Sequence, residues 1–353
     1  MENWFSDGLI KWYLKNKRDL PWRHETDPYK IWLSEIILQQ TQVAQGLNYY
    51  LKFTQTYPSI KHLAMAKEDA ILKLWQGLGY YSRARNLHFT AKLVTKQFNG
   101  KFPRSFDQIK ALKGIGDYTA AAIASFAYNL PHAVVDGNVY RVLSRVFGIK
   151  TAIDSSKAKK EFQTLANELL DAKQAALNNQ AIMEFGSQQC KVHNPDCQTC
   201  VFSAKCFAFT QHKIKELPYK AKKTKITDRY FNYLVIIDQK GKVLINKRSK
   251  TDIWKGLYEF YLVESDKAIE FKELLKQKDL KQLLGKGFSL VQSSMRYKHI
   301  LSHQHLYTCF YVISLNTVFK SGQQSTSLKT LNKLAFPRLI EKFLNTCDLK
   351  EIV

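Results

Sequence analysis

Leu112-Lys113-Gly114-Ile115-Gly116-Asp117-Tyr118-Thr119-Ala120 sets two glycines at a turn immediately before an Ala-rich helix, Thr119 to Ala127. Glycine permits positive φ and the close approach of a phosphate, and a helix N-terminus offers unpaired backbone N–H donors. The stretch therefore reads as a helix-hairpin-helix able to grip a nucleic-acid backbone. Taken alone, a short Gly-x-Gly is equally a glycine C-cap between two packed helices. Twenty residues after Gly116, Val134-Val135-Asp136-Gly137-Asn138-Val139-Tyr140-Arg141-Val142 puts an acid after an apolar run and before another helix. Asp136 is an N-cap by position, and a cap is compatible with a catalytic role.

The rest of the chain favours the nucleic-acid reading of that turn. Lys and Arg number 54 against 30 Asp and Glu, a formal charge of +24 over 353 residues, so a polyanionic partner is expected. Nucleic acid fits better than a membrane, because no basic amphipathic helix or run of 18 apolar residues is present. The opening MENWFSDGLIKW mixes aromatic and charged residues and lacks the apolar segment of a secretory signal, which predicts a cytoplasmic protein. With 45% hydrophobic and 13% aromatic residues the chain can bury a sizeable core, and its length suggests two or three domains.

From Trp4 to about Phe209 the pattern is successive helices, which predicts an all-α first domain over residues 1–209. Asp27-Pro28 caps a helix expected from Tyr29 to Ala44, with Glu35 inside it. Others are expected at Asp69 to Gln76, Arg83 to Phe98, Thr119 to Asn129, Val139 to Phe147 and Lys157 to Ala172. Residues 211–250 then hold twelve Lys or Arg against three acids, and 210–228 reads as a basic linker. Beyond it, Tyr230 to Ile237 and Val243 to Lys247 flank the turn Gln239-Lys240-Gly241-Lys242, and Leu257 to Val263 and Tyr307 to Leu315 also read as strands. A smaller α+β domain is expected over 229–353. No internal repeat or low-complexity tract is visible.

Cys190, Cys197, Cys200 and Cys206 are separated by six, two and five residues, so one compact loop can bring four thiolates to an inorganic centre. Four soft ligands suit an iron–sulfur cluster or a structural zinc. Zinc sites commonly use two short pairs, and only Cys197 and Cys200 form one, so spacing leans modestly toward iron–sulfur. Cys309 and Cys347 stand apart as ordinary thiols.

The hairpin, the Asp136 motif and the cysteine loop, in this order and spacing, resemble the endonuclease III superfamily over roughly Trp4 to Phe209. Leu33-Ser34-Glu35-Ile36-Ile37-Leu38-Gln39-Gln40-Thr41-Gln42-Val43 and Gly77-Leu78-Gly79-Tyr80-Tyr81-Ser82-Arg83-Ala84-Arg85-Asn86-Leu87 are similar to the adenine DNA glycosylases within it. The resemblance implies a [4Fe-4S] cluster on the four cysteines and double-stranded DNA with adenine opposite 8-oxoguanine or guanine as substrate. It implies Trp22, Arg23, Leu38, Val43, Tyr118, Asn138 and Glu184 around the extruded adenine. Gln40, Thr41, Leu78 and Tyr80 are implied at the opened base pair, with Gly114 and Gly116 at the DNA backbone. Tyr81 and Leu87, by helical spacing, are expected in the core. A monomeric bacterial protein associated with the nucleoid is expected.

Hydrolysing an N-glycosidic bond calls for an acid to improve the leaving group and a negative charge to stabilise an oxocarbenium-like sugar. Glu35, in an apolar helix, is expected to be desolvated and protonated, poised to donate to adenine N7. Asp136, expected near solvent, stays ionised and stabilises C1′ or attacks it transiently. The base must first leave the stack, with Leu78 and Tyr80 as candidate wedges and core packing as the alternative for both. Relatives that also cut the strand carry a lysine where Tyr118 stands, so no Schiff-base nucleophile is expected.

In the second domain Asn246-Lys247-Arg248 and Ile253-Trp254-Lys255-Gly256-Leu257-Tyr258-Glu259-Phe260 resemble the start of a Nudix fold. No Arg-Glu-x-x-Glu-Glu arrangement follows to hold magnesium against a diphosphate, so recognition rather than hydrolysis is expected. Leu301-Ser302-His303 aligns with the family's Phe-Ser-His segment, making Ser302 and His303 the candidates for reading 8-oxoguanine. His299, His303 and His305 otherwise form a polar loop or a fortuitous metal site. Two other functions compete: a lyase acting on oxidised pyrimidines, opposed by Tyr118 and the second domain, and a non-catalytic lesion sensor, opposed by Glu35 and Asp136.

Overall fold

The computed structural model describes residues 4–221, 225–249, 251–347 and 349. The outermost residues of the two expected domains, and Lys222, Lys223, Thr224 and Lys250 of the basic stretch, lie outside them. The chain divides into two compact units, one of residues 1–66 and 86–223, the other of residues 67–85 and 224–353.

The first unit is helical among the described residues. It contains α1 (Trp4–Asn16), α2 (Pro28–Leu38), α3 (Val43–Thr56) and α4 (Ile60–Met65). After α5 (Glu68–Leu74), which belongs to the second unit, come α6 (Ser82–Gln97), α7 (Phe106–Lys110), α8 (Asp117–Tyr128), α9 (Gly137–Phe147), α10 (Ser156–Leu169), α11 (Ala175–Gln188) and α12 (Phe207–Thr210). Helix α9 shows how the pattern becomes packing. Val139, Val142, Leu143 and Val146 recur at helical spacing and are buried with Leu9 and Trp12 of α1, Ala121 and Ala122 of α8, and Phe185 of α11. Burying such side chains contributes about 1.5–3 kcal/mol each before chain entropy is subtracted.

Helix α2 begins as its residues require. The Asp27 carboxylate accepts from the Tyr29 amide at 2.9 Å, and Pro28 occupies the first turn, where no amide is needed. It ends sooner than the pattern predicts: the helix expected to run to Ala44 stops at Leu38, and α3 starts at Val43. Between them Gln40 adopts φ 54° and the Thr41 amide closes a turn on the Leu38 carbonyl at 3.1 Å. Glutamine favours helix, so tertiary context overrides propensity here.

The second unit is built on β1 (Thr227–Ile237), followed by β2 (Lys242–Leu244), β3 (Asn246–Lys247), β4 (Tyr258–Glu259) and β5 (Tyr261–Ser265). Then come α13 (Phe271–Leu274), α14 (Lys278–Leu284), β6 (Phe288–Ser293), β7 (Tyr297–Ile300), β8 (Gln304–Leu315), β9 (Ser325–Ser327), α15 (Leu328–Leu331) and α16 (Arg338–Thr346). Strand β1 is central, parallel to β8 from Thr227↔Gln304 to Ile237↔Ser314 and antiparallel to β2 and β5. Its run Phe231 to Ile237 is buried on both faces, with Asn232 the polar exception, its Nδ2 donating to the Val263 carbonyl at 3.2 Å. Phe231, Tyr233, Val235 and Ile237 meet Leu339, Ile340 and Phe343 of α16, while Leu234 and Ile236 meet Leu280 and Leu284 of α14.

Helix α5, expected at Asp69 to Gln76, makes its polar contacts within this unit. The Asp69 carboxylate accepts from Lys247 Nζ and from the Tyr258 hydroxyl, and Lys73 Nζ donates to the Leu334 carbonyl at 3.0 Å.

Candidate active site

Helices α2, α8, α9 and α11 of the first unit enclose a cavity of about 560 Å³. Seven residues expected at an extruded base, Trp22, Arg23, Leu38, Val43, Tyr118, Asn138 and Glu184, all line it, as do Glu35, Asp136, Gln40 and Thr41. The break after Leu38 is what delivers Gln40, Thr41 and Val43 to the rim, since a continuous helix would carry them around its axis.

Glu35 is 7% exposed. Burial pushes its carboxyl up to about 7, opposed by a hydrogen bond from the Tyr118 hydroxyl to Oε2 at 2.6 Å and assisted by the nearby Asp136 charge. The expected desolvated acid is present. Tyr118 is raised well above its usual range by burial and by Glu35, and its hydroxyl also lies 3.9 Å from Met183 Sδ.

Asp136 differs from expectation. It caps α9 as predicted, with Oδ1 accepting from the amides of Asn138 at 2.9 Å and Val139 at 2.8 Å. Its carboxylate is nevertheless turned into the cavity rather than toward solvent, and burial raises its pKa. What favours the ionised form is therefore not water but donors: those two amides, Asn138 Nδ2 on Oδ2 at 2.7 Å, the Arg141 charge and the helix N-terminus.

Glu184 is also more constrained than a base-contacting residue need be. Its side chain is fully buried and receives Arg18 Nε at 2.8 Å, Arg18 Nη2 at 2.7 Å, the Arg18 amide at 3.0 Å, and Arg23 Nη2. Burial acts to raise it, but the Arg18 hydrogen bonds and the Arg23 charge outweigh burial and hold it below the usual range. Arg18 was not among the sequence candidates, and with the partners 166 positions apart no local pattern signals the pair. Replacing Glu184 with Gln strips two arginines of their counter-charge. Breaking a buried pair costs about 3–5 kcal/mol, and the lower end is expected because Arg18 is 33% exposed. The midpoint of denaturant unfolding checks this.

At the hairpin only the first glycine is conformationally required. Gly114 has φ +81°, and a Cβ there would meet Asn86 Cβ at 2.8 Å, whereas Gly116 is extended, caps α8 and faces open space. Gly114→Ala should cost about 1–3 kcal/mol, read as a lower thermal midpoint. Gly116→Ala should cost far less stability.

The cysteine loop is tied to α9. Arg141 Nε donates to the Cys190 carbonyl at 2.7 Å and Arg141 Nη2 to Asn138 Oδ1 at 2.8 Å, while Arg145 donates to the carbonyls of Lys191 and Leu217. Arg145 Nη1 stands 3.5 Å from Cys190 Sγ, and the Phe202 amide donates to Cys200 Sγ at 3.4 Å. Among the described residues, no three His, Cys, Asp or Glu side chains are drawn together as a metal-binding group.

Leu78 and Tyr80 lie in the second unit, in a loop where Gly77, Gly79 and Tyr80 all have positive φ. Leu78 is buried and Tyr80 is 46% exposed, its hydroxyl bonded to Ser302 Oγ. Tyr81 and Leu87 are core residues, as their spacing predicts. Ser302 and His303 are exposed at the tip between β7 and β8, and Leu301 packs against the core. His299 is half-buried beside Trp254 and held below its usual range by burial, and His305 pairs with Asp228 at 3.3 Å. The Glu259 carboxylate sits between Arg248 and the Tyr233 hydroxyl.

Among the described residues, no helix is long and apolar enough to cross a membrane. Residues 33–168 match the HhH-GPD superfamily of base excision DNA repair proteins, and residues 232–346 match the NUDIX domain. The chain is 33% identical over 327 residues to an adenine DNA glycosylase of Buchnera aphidicola subsp. Baizongia pistaciae, covering 91% of this chain and 90% of that protein. It is 40% identical over 213 residues to the human adenine DNA glycosylase, covering 58% of this chain and 39% of the human one. Among solved structures, a thermostable thymine-DNA glycosylase superposes with a TM-score of 0.55 at 29% identity, over 59% of this chain and 95% of that one.

Proposed function

The chain belongs to the adenine DNA glycosylases of base excision repair, and we propose that it hydrolyses adenine from duplex DNA where adenine stands opposite 8-oxoguanine or guanine. The observation that carries this reading is one pocket holding both a buried carboxyl with a pKa of about 7 and a second carboxylate wrapped in donors.

The chemistry follows from those environments. With Tyr118 on Glu35 Oε2, the other oxygen carries the acidic proton, which passes to N7 of the extruded adenine. The C1′–N9 bond then breaks with its electron pair going to the base. The Asp136 carboxylate faces the resulting positive charge at C1′ and either stabilises it or bonds to it transiently. Water completes the substitution at C1′, and its proton returns to Glu35. Tyr118 supplies no amine, so no Schiff base forms and the product is an intact strand with an abasic site. The enzyme is monofunctional, and strand scission falls to another protein.

The +24 charge favours DNA as the partner of a monomer working in a bacterial cytoplasm, and it makes affinity fall with added salt. Ser302 and His303, exposed at their hairpin tip, are our candidates for the oxidised guanine. Leu301 is held against the core and is a poor wedge. We assign Cys190, Cys197, Cys200 and Cys206 as ligands of a [4Fe-4S] cluster. The donor set fits, since four thiols share one loop and N–H donors already reach the sulfurs of Cys190 and Cys200. These four cysteines would hold the cluster in the loop that Arg141 and Arg145 fasten to α9.

One assay tests the reading. Duplexes with adenine opposite 8-oxoguanine, adenine opposite guanine, or thymine glycol are incubated with the protein, and strand breaks are compared with and without hot alkali. Alkali-dependent cleavage at adenine is expected. Its absence, or cleavage without alkali, removes the proposed chemistry.

A further inference from the structure

Behind the base cavity lies a second chamber of about 430 Å³, which shares Arg18, Arg23, Phe126 and Gln180 with it as lining. Both volumes fall in the range of about 300–1,000 Å³ usual for small-molecule pockets. The outer lining of the second chamber includes Lys17, Asp19, His24 and Thr26, all exposed, so it opens to solvent on its own side.

We infer that this rear chamber is the exit route for free adenine, an inference that rests on the glycosylase reading above. While DNA is bound, the strand that delivered the base occupies the front of the cavity. Losing one base removes no phosphate contact, so the abasic duplex keeps most of its affinity and stays in place. The cleaved base then needs another way out. The shared lining suits a planar heteroaromatic molecule: a phenyl ring, two guanidinium planes and a carboxamide that can meet the amino and ring-nitrogen edge of a purine. Gln180 Oε1 accepts from the Tyr13 hydroxyl at 2.7 Å, which orients that carboxamide. Arg18 and Arg23 are held in that shared wall by Glu184, so Phe126 and Gln180 are the side chains beside which the base would pass.

The test plugs the outer chamber without altering the base cavity. Thr26→Trp and Ala176→Trp each place an indole in the rear lining, at positions that do not line the base cavity. A duplex carrying radiolabelled adenine opposite 8-oxoguanine is mixed with excess enzyme. Abasic sites are read by alkali cleavage, adenine freed from protein by rapid ultrafiltration, and bound duplex by gel shift. In the wild type, free adenine should appear in step with abasic sites and before the duplex dissociates. In both variants abasic sites should form at the wild-type rate, while free adenine lags about tenfold and follows duplex release. The inference is overturned if adenine leaves both variants as fast as it is cleaved, if wild-type adenine waits for the duplex, or if plugging slows cleavage itself, which marks a water path instead. A wild-type protein that forms no abasic sites sinks the parent reading, an outcome distinct from these three.

Discussion

Glu35→Gln should bind the mismatched duplex normally and release base about 10²–10⁴ times more slowly. The amide keeps the shape of the carboxyl and can still accept from the Tyr118 hydroxyl, but it has no acidic proton. Loss of a positioned general acid costs about 10²–10⁴ in rate, and the loss should fall on the chemical step under single-turnover conditions rather than on duplex affinity. The pH profile gives a second readout. With a carboxyl near 7, the wild type should lose activity as pH rises through neutrality, because the proton it donates is gone. Stability should follow with a definite sign. The folded carboxyl binds its proton more tightly than an unfolded one, whose pKa is about 4.3, so the stability tied to Glu35 is complete below that value and declines as pH rises to about 7. Gln needs no proton, so the variant should melt higher than wild type at pH 8 and show a smaller difference at pH 5. Normal base release by the variant removes Glu35 from the mechanism. A dead enzyme without the melting difference means the carboxyl is not buried in the way the structure shows.

The acid itself was readable from a one-dimensional pattern, because Ile31, Leu33, Ile36 and Ile37 bury a helix on nearly every side and carry Glu35 inward with them. The Asp136 cap was readable for the same reason: an Asp before Gly137-Asn138 and an amphipathic repeat states its own geometry. Three things were not. The chain turns at Gln40 although Gln39, Gln40 and Gln42 are good helix formers, so the turn is imposed by packing on α8, where Gln39 Nε2 meets Thr119 Oγ1 at 3.3 Å. Arg18 meets Glu184 from 166 positions away in the chain, a pairing set by the packing of α1 on α11 and invisible to spacing rules. The polarity around Asp136 is not legible either, because nearness in sequence to a solvent-facing hairpin says nothing about which way a cap side chain points. In each case the missing information is a contact between distant residues, whereas the legible features are periodic or local.

Asp136 performs two tasks with one carboxylate, and two substitutions separate them. Asp136→Asn retains an oxygen for the Asn138 and Val139 amides, and asparagine caps helices as well as aspartate does, so the fold should lose little stability. What disappears is the negative charge facing C1′. Removing one preorganised electrostatic partner of a transition state costs about 10²–10³ in rate. Asp136→Ala should lose the same activity and in addition about 1 kcal/mol of stability, with α9 left uncapped. Because Arg141 lies next along α9 and bonds both Asn138 and the Cys190 carbonyl, fraying of that first turn should also loosen the cysteine loop in the alanine variant and not in the asparagine one. Amide exchange across residues 137–142 and 190–206, measured beside single-turnover base release, distinguishes the two effects. If asparagine restores base release while alanine does not, Asp136 serves α9 as a cap alone, and the positive charge at C1′ must be met by another group.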